Sequence, residues 1–107
     1  MCHQAQKRGA NIHAQLLRIP VTCQSDHHYI DLGLESMHSF QDTPILRRQS
    51  MVQFLEWYSP PDASDLSVSP LLARDFLDQP PAYIQVCGRD PLRDEALAYA
   101  EKLEQAG

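Results

Sequence analysis

Apolar positions along this chain follow two periods, one helical and one extended, and proline and glycine mark the breaks between them. Residues 1–8 close on Gly9 and read as the last turns of a helix: Lys7 and Arg8 suit the negative end of its dipole, and glycine suits the left-handed cap position. Ala14-Gln15-Leu16-Leu17-Arg18-Ile19-Pro20-Val21 is short, branched and stopped by proline, which predicts a strand opening into a polar loop over residues 24–42. From Thr43 the period becomes helical. Thr43 is placed to cap, Pro44 occupies the first helical position, and Met51, Phe54, Leu55 and Tyr58 recur at i, i+3, i+4, i+7, predicting an amphipathic helix over 43–58. A Ser/Asp/Pro-rich connection follows (60–70), then a short Leu71-Leu72-Ala73 turn and Pro80-Pro81. Ala82-Tyr83-Ile84-Gln85-Val86-Cys87 reads as a second strand closed by Gly88. Beyond it, Asp90 caps a helix, Pro91 fills its first position, and Leu92, Ala96, Tyr99, Ala100 and Leu103 share one face up to a C-cap at Gly107.

Two strands separated by helical material, the second leading into a helix, predict a parallel α/β architecture. Parallel strands are normally buried on both faces and flanked by neighbours, yet there are two strand candidates here and no third. The pattern therefore reads as a slice of a larger sheet.

Composition narrows the function. The net charge of −5 over 107 residues, with the nine basic residues scattered, offers no footprint for nucleic acid or an anionic membrane. No run approaches the roughly 18 apolar residues of a spanning helix, and the N-terminus lacks the apolar core of a signal peptide, so a soluble, cytoplasmic product is expected. Cys2, Cys23 and Cys87 cannot all pair within one chain and match no zinc or redox spacing, which makes them reduced thiols. Asp26, His27, His28 and His38 suggest a metal site at first sight. Adjacent histidines project divergently, however, and no further ligand has motif spacing, so they read as a solvated loop. No metal and no cofactor is expected.

Ligands of open α/β sheets bind beyond the carboxyl ends of the strands, which directs attention to Gly88-Arg89-Asp90-Pro91. On local grounds Asp90 is a helix cap first, a catalytic candidate second. Over a longer span, Ser69-Pro70-Leu71-Leu72-Ala73, then Pro80 to Glu95 with Asp90-Pro91-Leu92-Arg93-Asp94-Glu95, then Ala98-Tyr99-Ala100-Glu101-Lys102-Leu103 and Ala106-Gly107, resembles the C-terminal half of hormone-sensitive-lipase-like esterases of the α/β-hydrolase fold-3 family. Leu16 to Thr22 is similar, more weakly, to the strand after that family's nucleophile helix, and Thr43–Tyr58 to a cap helix over the active site. The resemblance implies that Asp90 is the acid of a catalytic triad and that the substrate is a small-molecule ester. It also allows a homodimer of the parent enzyme. Where the family often has glycine after the Asp-Glu pair this chain has Ala96, a better helix former.

One departure is large. The glycines are Gly9, Gly33, Gly88 and Gly107, and none flanks a serine as the Gly-x-Ser-x-Gly elbow requires. A His-Gly-Gly-Gly segment is missing as well, and the family's histidine would follow one strand beyond Gly107. The resemblance thus implies that 1–107 is a C-terminal piece of a hydrolase domain, contributing the triad acid and inactive alone. The alternative is a non-catalytic interaction protein, or a pseudoenzyme derived from a hydrolase, that uses the exposed sheet edge. Phe54, Trp57 and Tyr58 read as core-facing aromatics before they read as an acyl pocket, and Arg93, Asp94 and Glu95 as structural residues of a first helical turn.

Overall fold

The computed structural model describes residues 2–24 and 26–107. Helix α1 (Cys2–Lys7) leads to strand β1 (Gln15–Arg18), two short helices α2 (Asp26–Asp31) and α3 (Ser36–Ser39), helix α4 (Arg48–Tyr58), a 3₁₀ turn at Pro70–Leu72, strand β2 (Ala82–Gln85) and the long helix α5 (Arg93–Ala106). Met1, the first residue of the expected N-terminal helix, lies outside the described residues. From Cys2 that helix ends as expected, on Gly9 in the left-handed region at φ 73°.

β1 and β2 pair in parallel, Gln15 opposite Ala82 through Arg18 opposite Gln85, so the parallel α/β expectation holds. Both strands are shorter than their apolar runs. After Arg18 the backbone turns out at Ile19, which adopts φ 47°, and Pro20 has no N–H to give to a ladder. The Ile19 N–H makes the last bond, to the Gln85 carbonyl at 2.8 Å, and Val86 and Cys87 therefore continue without a strand partner.

Helices and turns cover one face of the sheet. Leu17 and Ile84 point into a core built on Cys23, Tyr29, Leu34, Met37, Leu71, Ala73, Phe76, Leu92 and Tyr99. Helix α5 crosses behind β2 on the face expected for it: Leu92, Ala96 and Tyr99 are buried, and Phe76 meets the Tyr99 ring edge-on at 5.4 Å. Lys102 extends from the same helix, donating to the Leu71 carbonyl at 2.8 Å with its ammonium over the Phe76 ring. The opposite face of the sheet is open. Leu16 and Tyr83, facing each other across the register, are 77% and 65% exposed.

Two expectations need correction. The stretch 24–42 is not an open loop: Tyr29 and Met37 anchor α2 and α3 in the core, and Gly33 at φ 66° makes the turn between them. Nor does the next helix begin at Thr43 and Pro44. The Thr43 hydroxyl donates to the Leu46 carbonyl, a backbone bridge joins Asp42 to Arg47, and α4 starts only at Arg48. Thr43 closes a turn ahead of the helix and stands too far from the first N–H groups of α4 to cap it, the cap position being Arg47. Of the apolar face expected on α4, Met51 and Leu55 are half-buried, whereas Phe54 and Tyr58 are exposed. Among the described residues no helix is long and apolar enough to cross a membrane.

Candidate active site

Parallel pairing puts the C-terminal ends of both strands at the same edge of the sheet, and Asp90 stands in the turn beyond β2 at that edge. Asp90 is half-buried. Its Oδ1 accepts the Leu92 N–H at 2.8 Å and its carbonyl accepts the Arg93 N–H at 3.1 Å. Asp90 thus forms an Asx-type turn feeding α5, with Pro91 and Leu92 in that turn and regular helix from Arg93, two residues later than the sequence suggests.

The next two carboxylates fasten this turn to the rest of the molecule. Asp94 Oδ2 accepts the N–H groups of Glu35 and Ser36 at 2.9 and 2.8 Å, and Oδ1 accepts Arg93 Nε at 2.8 Å. Burial works against its charge, but the bonds from Arg93, Glu35 and Ser36 prevail and hold the carboxyl below the ordinary aspartate range. Ser36, fully buried, donates from Oγ to the Pro91 carbonyl at 2.7 Å and accepts the Asp94 N–H at 3.0 Å. Arg93 reaches back from Nη1 to the Gly88 carbonyl at 3.1 Å, its guanidinium 4.8 Å from the centre of the Phe40 ring.

Glu95 turns inward. Oε1 accepts the N–H groups of Thr22 and Cys23 at 2.5 and 3.1 Å, and the Thr22 hydroxyl donates to the Glu95 carbonyl at 3.0 Å. The side chain is fully buried, and Oε2 has no partner among the described residues. Burial pushes the carboxyl up to about 8, outweighing the bonds from Thr22 and Cys23, so Glu95 is mostly a neutral acid at pH 7.

These contacts bring the exits of β1 and β2 together. Cys23 and Met37, next in sequence to the pinned Thr22 and Ser36, line a recess of about 80 Å³ with Tyr29, Met51 and Leu55 beneath α4. The Tyr29 hydroxyl is buried there without a partner among the described residues. His27 and His38 are exposed, and no three His, Cys, Asp or Glu side chains converge among the described residues. The Asp26 side chain lies outside what is described.

Sequence reading treated Asp94 and Glu95 as helix-dipole partners and overlooked Ser36, Thr22 and the buried Ser69, whose hydroxyl accepts the Gln24 N–H at 2.8 Å. A signal for Glu95 was present. Leu92, Glu95, Ala96 and Tyr99 stand at i, i+3, i+4, i+7, which puts the glutamate on the apolar face. Nothing local marks Ser36, because its partners are 58 and 55 residues away.

Comparison with known proteins agrees with this fold. A family model described as alpha/beta hydrolase fold matches residues 1–107. The chain is similar to esterase LipI of Mycobacterium tuberculosis, 37% identical over 106 residues covering 92% of this chain and 30% of LipI. It is likewise similar to carboxylesterase NlhH of the same organism, 40% identical over 98 residues covering 87% of this chain and 29% of NlhH. The crystal structure of vibralactone cyclase superposes with a TM-score of 0.88 at 33% identity, over 99% of this chain and 33% of that one. The chain thus spans about a third of the length of these relatives. Its strand pairing, its helix order and these matches together mean that the chain belongs to the alpha/beta hydrolase family.

Proposed function

We propose that this chain supplies the triad acid, Asp90, of a serine carboxylic-ester hydrolase acting on small-molecule esters in the cytoplasm. The nucleophilic serine and the histidine belong to parts of the hydrolase outside residues 1–107. The observation that carries the reading is the place of Asp90, at the carboxyl edge of a parallel sheet, in a turn whose Pro91 carbonyl is held by the buried Ser36 and whose Gly88 carbonyl is held by Arg93. A carboxylate there would hold the tautomer of an imidazole and stabilise the imidazolium that forms as serine attacks the ester carbonyl. Similarity to two esterases favours ester hydrolysis as the reaction. The recess lined by Cys23, Tyr29, Met37, Met51 and Leu55 favours an apolar substituent on the ester, and α4, which covers 48–58 of the expected 43–58, fits the role of a cap helix.

The test uses two forms of the protein. Residues 1–107 alone should hydrolyse a short-chain activated ester no faster than background, because neither a nucleophile elbow nor a base accompanies Asp90. Saturable turnover abolished by a serine-directed phosphonate would refute that. In a complete hydrolase, with residues 1–107 replacing the matching third of a related esterase, Asp90→Asn keeps a capping oxygen but loses the charge. There kcat should fall by about 10³- to 10⁴-fold. Nearly full activity would show that Asp90 is a helix cap only.

A second reading, a non-catalytic interaction protein or hydrolase-derived pseudoenzyme, draws on the uncovered sheet face at Leu16 and Tyr83. The remainder of a hydrolase would cover the same face. Coding sequence flanking the chain separates the two: an upstream Gly-x-Ser-x-Gly and a downstream histidine favour the enzyme, and intact stops favour the interaction protein.

A further inference from the structure

We infer that Asp94 and Ser36 are positioning residues for Asp90, acting as a two-point clamp that sets the height and tilt of the 88–92 turn; the inference rests on the reading of Asp90 as the triad acid. Two carbonyls on either side of Asp90 are held from outside the turn: Gly88 by Arg93 Nη1 at 3.1 Å, and Pro91 by Ser36 Oγ at 2.7 Å. The two donors are joined through one group. Asp94 takes Arg93 Nε on Oδ1 and the Ser36 N–H on Oδ2, both at 2.8 Å, while its own N–H is donated to Ser36 Oγ at 3.0 Å. Both oxygens of that carboxylate are thereby occupied by the residues that hold the carbonyls before and after Asp90.

Such an arrangement does more than start a helix. Asp90 already starts α5 through its own bond to the Leu92 N–H. The bonds from Asp94 to α3 add nothing to that cap, but they do fix the turn relative to a distant segment. Ser36 is fully buried and makes three bonds to residues 91 and 94, so the clamp is stiff at its far end. Placement matters because the carboxylate must meet an imidazole within hydrogen-bond distance, and a shift on the order of 1 Å in such a group costs up to about 10²-fold in rate.

Asp94→Asn keeps the volume but replaces one acceptor oxygen by an NH₂ that faces a donor, so it cannot hold Arg93 and Ser36 together. Ser36→Ala removes the bond to Pro91 and the acceptor of the Asp94 N–H, and leaves the side chains of Asp90, Arg93 and Asp94 unchanged. Both variants are made in the complete hydrolase, alongside Asp90→Asn, with active sites counted by phosphonate titration so that misfolded protein drops out. Each clamp variant should lower kcat roughly 10- to 100-fold with KM within about twofold, because the acid is displaced while the substrate contacts remain. The acid limb of the kcat/KM pH profile should move to lower pH, because a carboxylate held near the imidazole raises its pKa and a displaced one raises it less. A purely structural role would reduce the titratable sites without moving that limb. If Asp90→Asn abolishes turnover while both clamp variants keep the parental kcat and pH profile per active site, the clamp is refuted and the triad reading survives. If Asp90→Asn itself leaves activity intact, the triad reading fails and the clamp with it.

Discussion

Glu95 is the residue whose environment departs furthest from what its type suggests. Its carboxyl is enclosed with Oε1 on two backbone N–H groups, and burial raises it to about 8 from 4.5. The consequence for stability has a definite sign. Below pH 4.5 both folded and unfolded chains hold the proton; between 4.5 and about 8 the unfolded chain has released it and the folded one has not. The unfolded state then binds fewer protons, so stability falls as pH rises across that window, with a slope of at most ~1.4 kcal/mol per pH unit from this group, and levels off above it. Glu95→Gln, neutral at every pH, should remove that part of the slope in the complete hydrolase. Thermal midpoints measured at intervals between pH 5 and 8 would reveal it, and parallel curves for parent and variant would show that Glu95 is ionised in the fold. Glu95→Ala should cost more at any pH, since it strands the Thr22 and Cys23 N–H groups at about 1–3 kcal/mol each.

At the scale of elements, α4 shows how a helix can be right in kind and wrong in its start. Its periodic apolar residues predict a helix that is present, but the residues expected to open it form a separate turn, and α4 begins behind Arg47 with no side-chain cap. Arg47 has extended cap geometry, φ −103° and ψ 151°, and is exposed. An acceptor there would face the first-turn N–H groups of Gln49 and Ser50 and complement the positive end of the dipole. Arg47→Asp should therefore stabilise the protein by ~0.5–1 kcal/mol, read as a higher urea midpoint with an unchanged m-value. A lower midpoint would mean that the Arg47 side chain contributes more by packing than by blocking a cap.

For the whole molecule the open face of the sheet dominates. Two parallel strands have unpaired edges, and Leu16 and Tyr83 expose apolar surface that a parallel sheet normally buries. Residues 1–107 purified alone should unfold with poor cooperativity and scatter light at micromolar concentration. Leu16→Lys with Tyr83→Lys should reduce that scattering, yet should destabilise the complete hydrolase, where the same face is proposed to lie against neighbouring structure. A sharp two-state melt of monomeric 1–107 would instead identify a domain that needs nothing further.

Period and punctuation in the sequence were enough to determine the parallel α/β class, the two short apolar runs as strands, the buried face of α5 and a helix-opening turn at Asp90, though not the residue at which the helix begins. The existence of each strand, the buried face of α5 and the Asp90 turn depend on neighbours within one or two turns of chain, where side-chain period and capping chemistry act. Tertiary structure alone decided where β1 and β2 stop, because the ladder ends where Ile19 leaves the extended conformation. It also decided that residues 24–42 contain helices, because Tyr29 and Met37 are buried in a core that includes Leu71, Phe76, Leu92 and Tyr99 from far along the chain. The Asp94–Ser36 clamp and the inward Glu95 belong to the same class. Their partners are 55 to 73 residues away, and a hydrogen bond over that separation forms only after the core has brought the segments together.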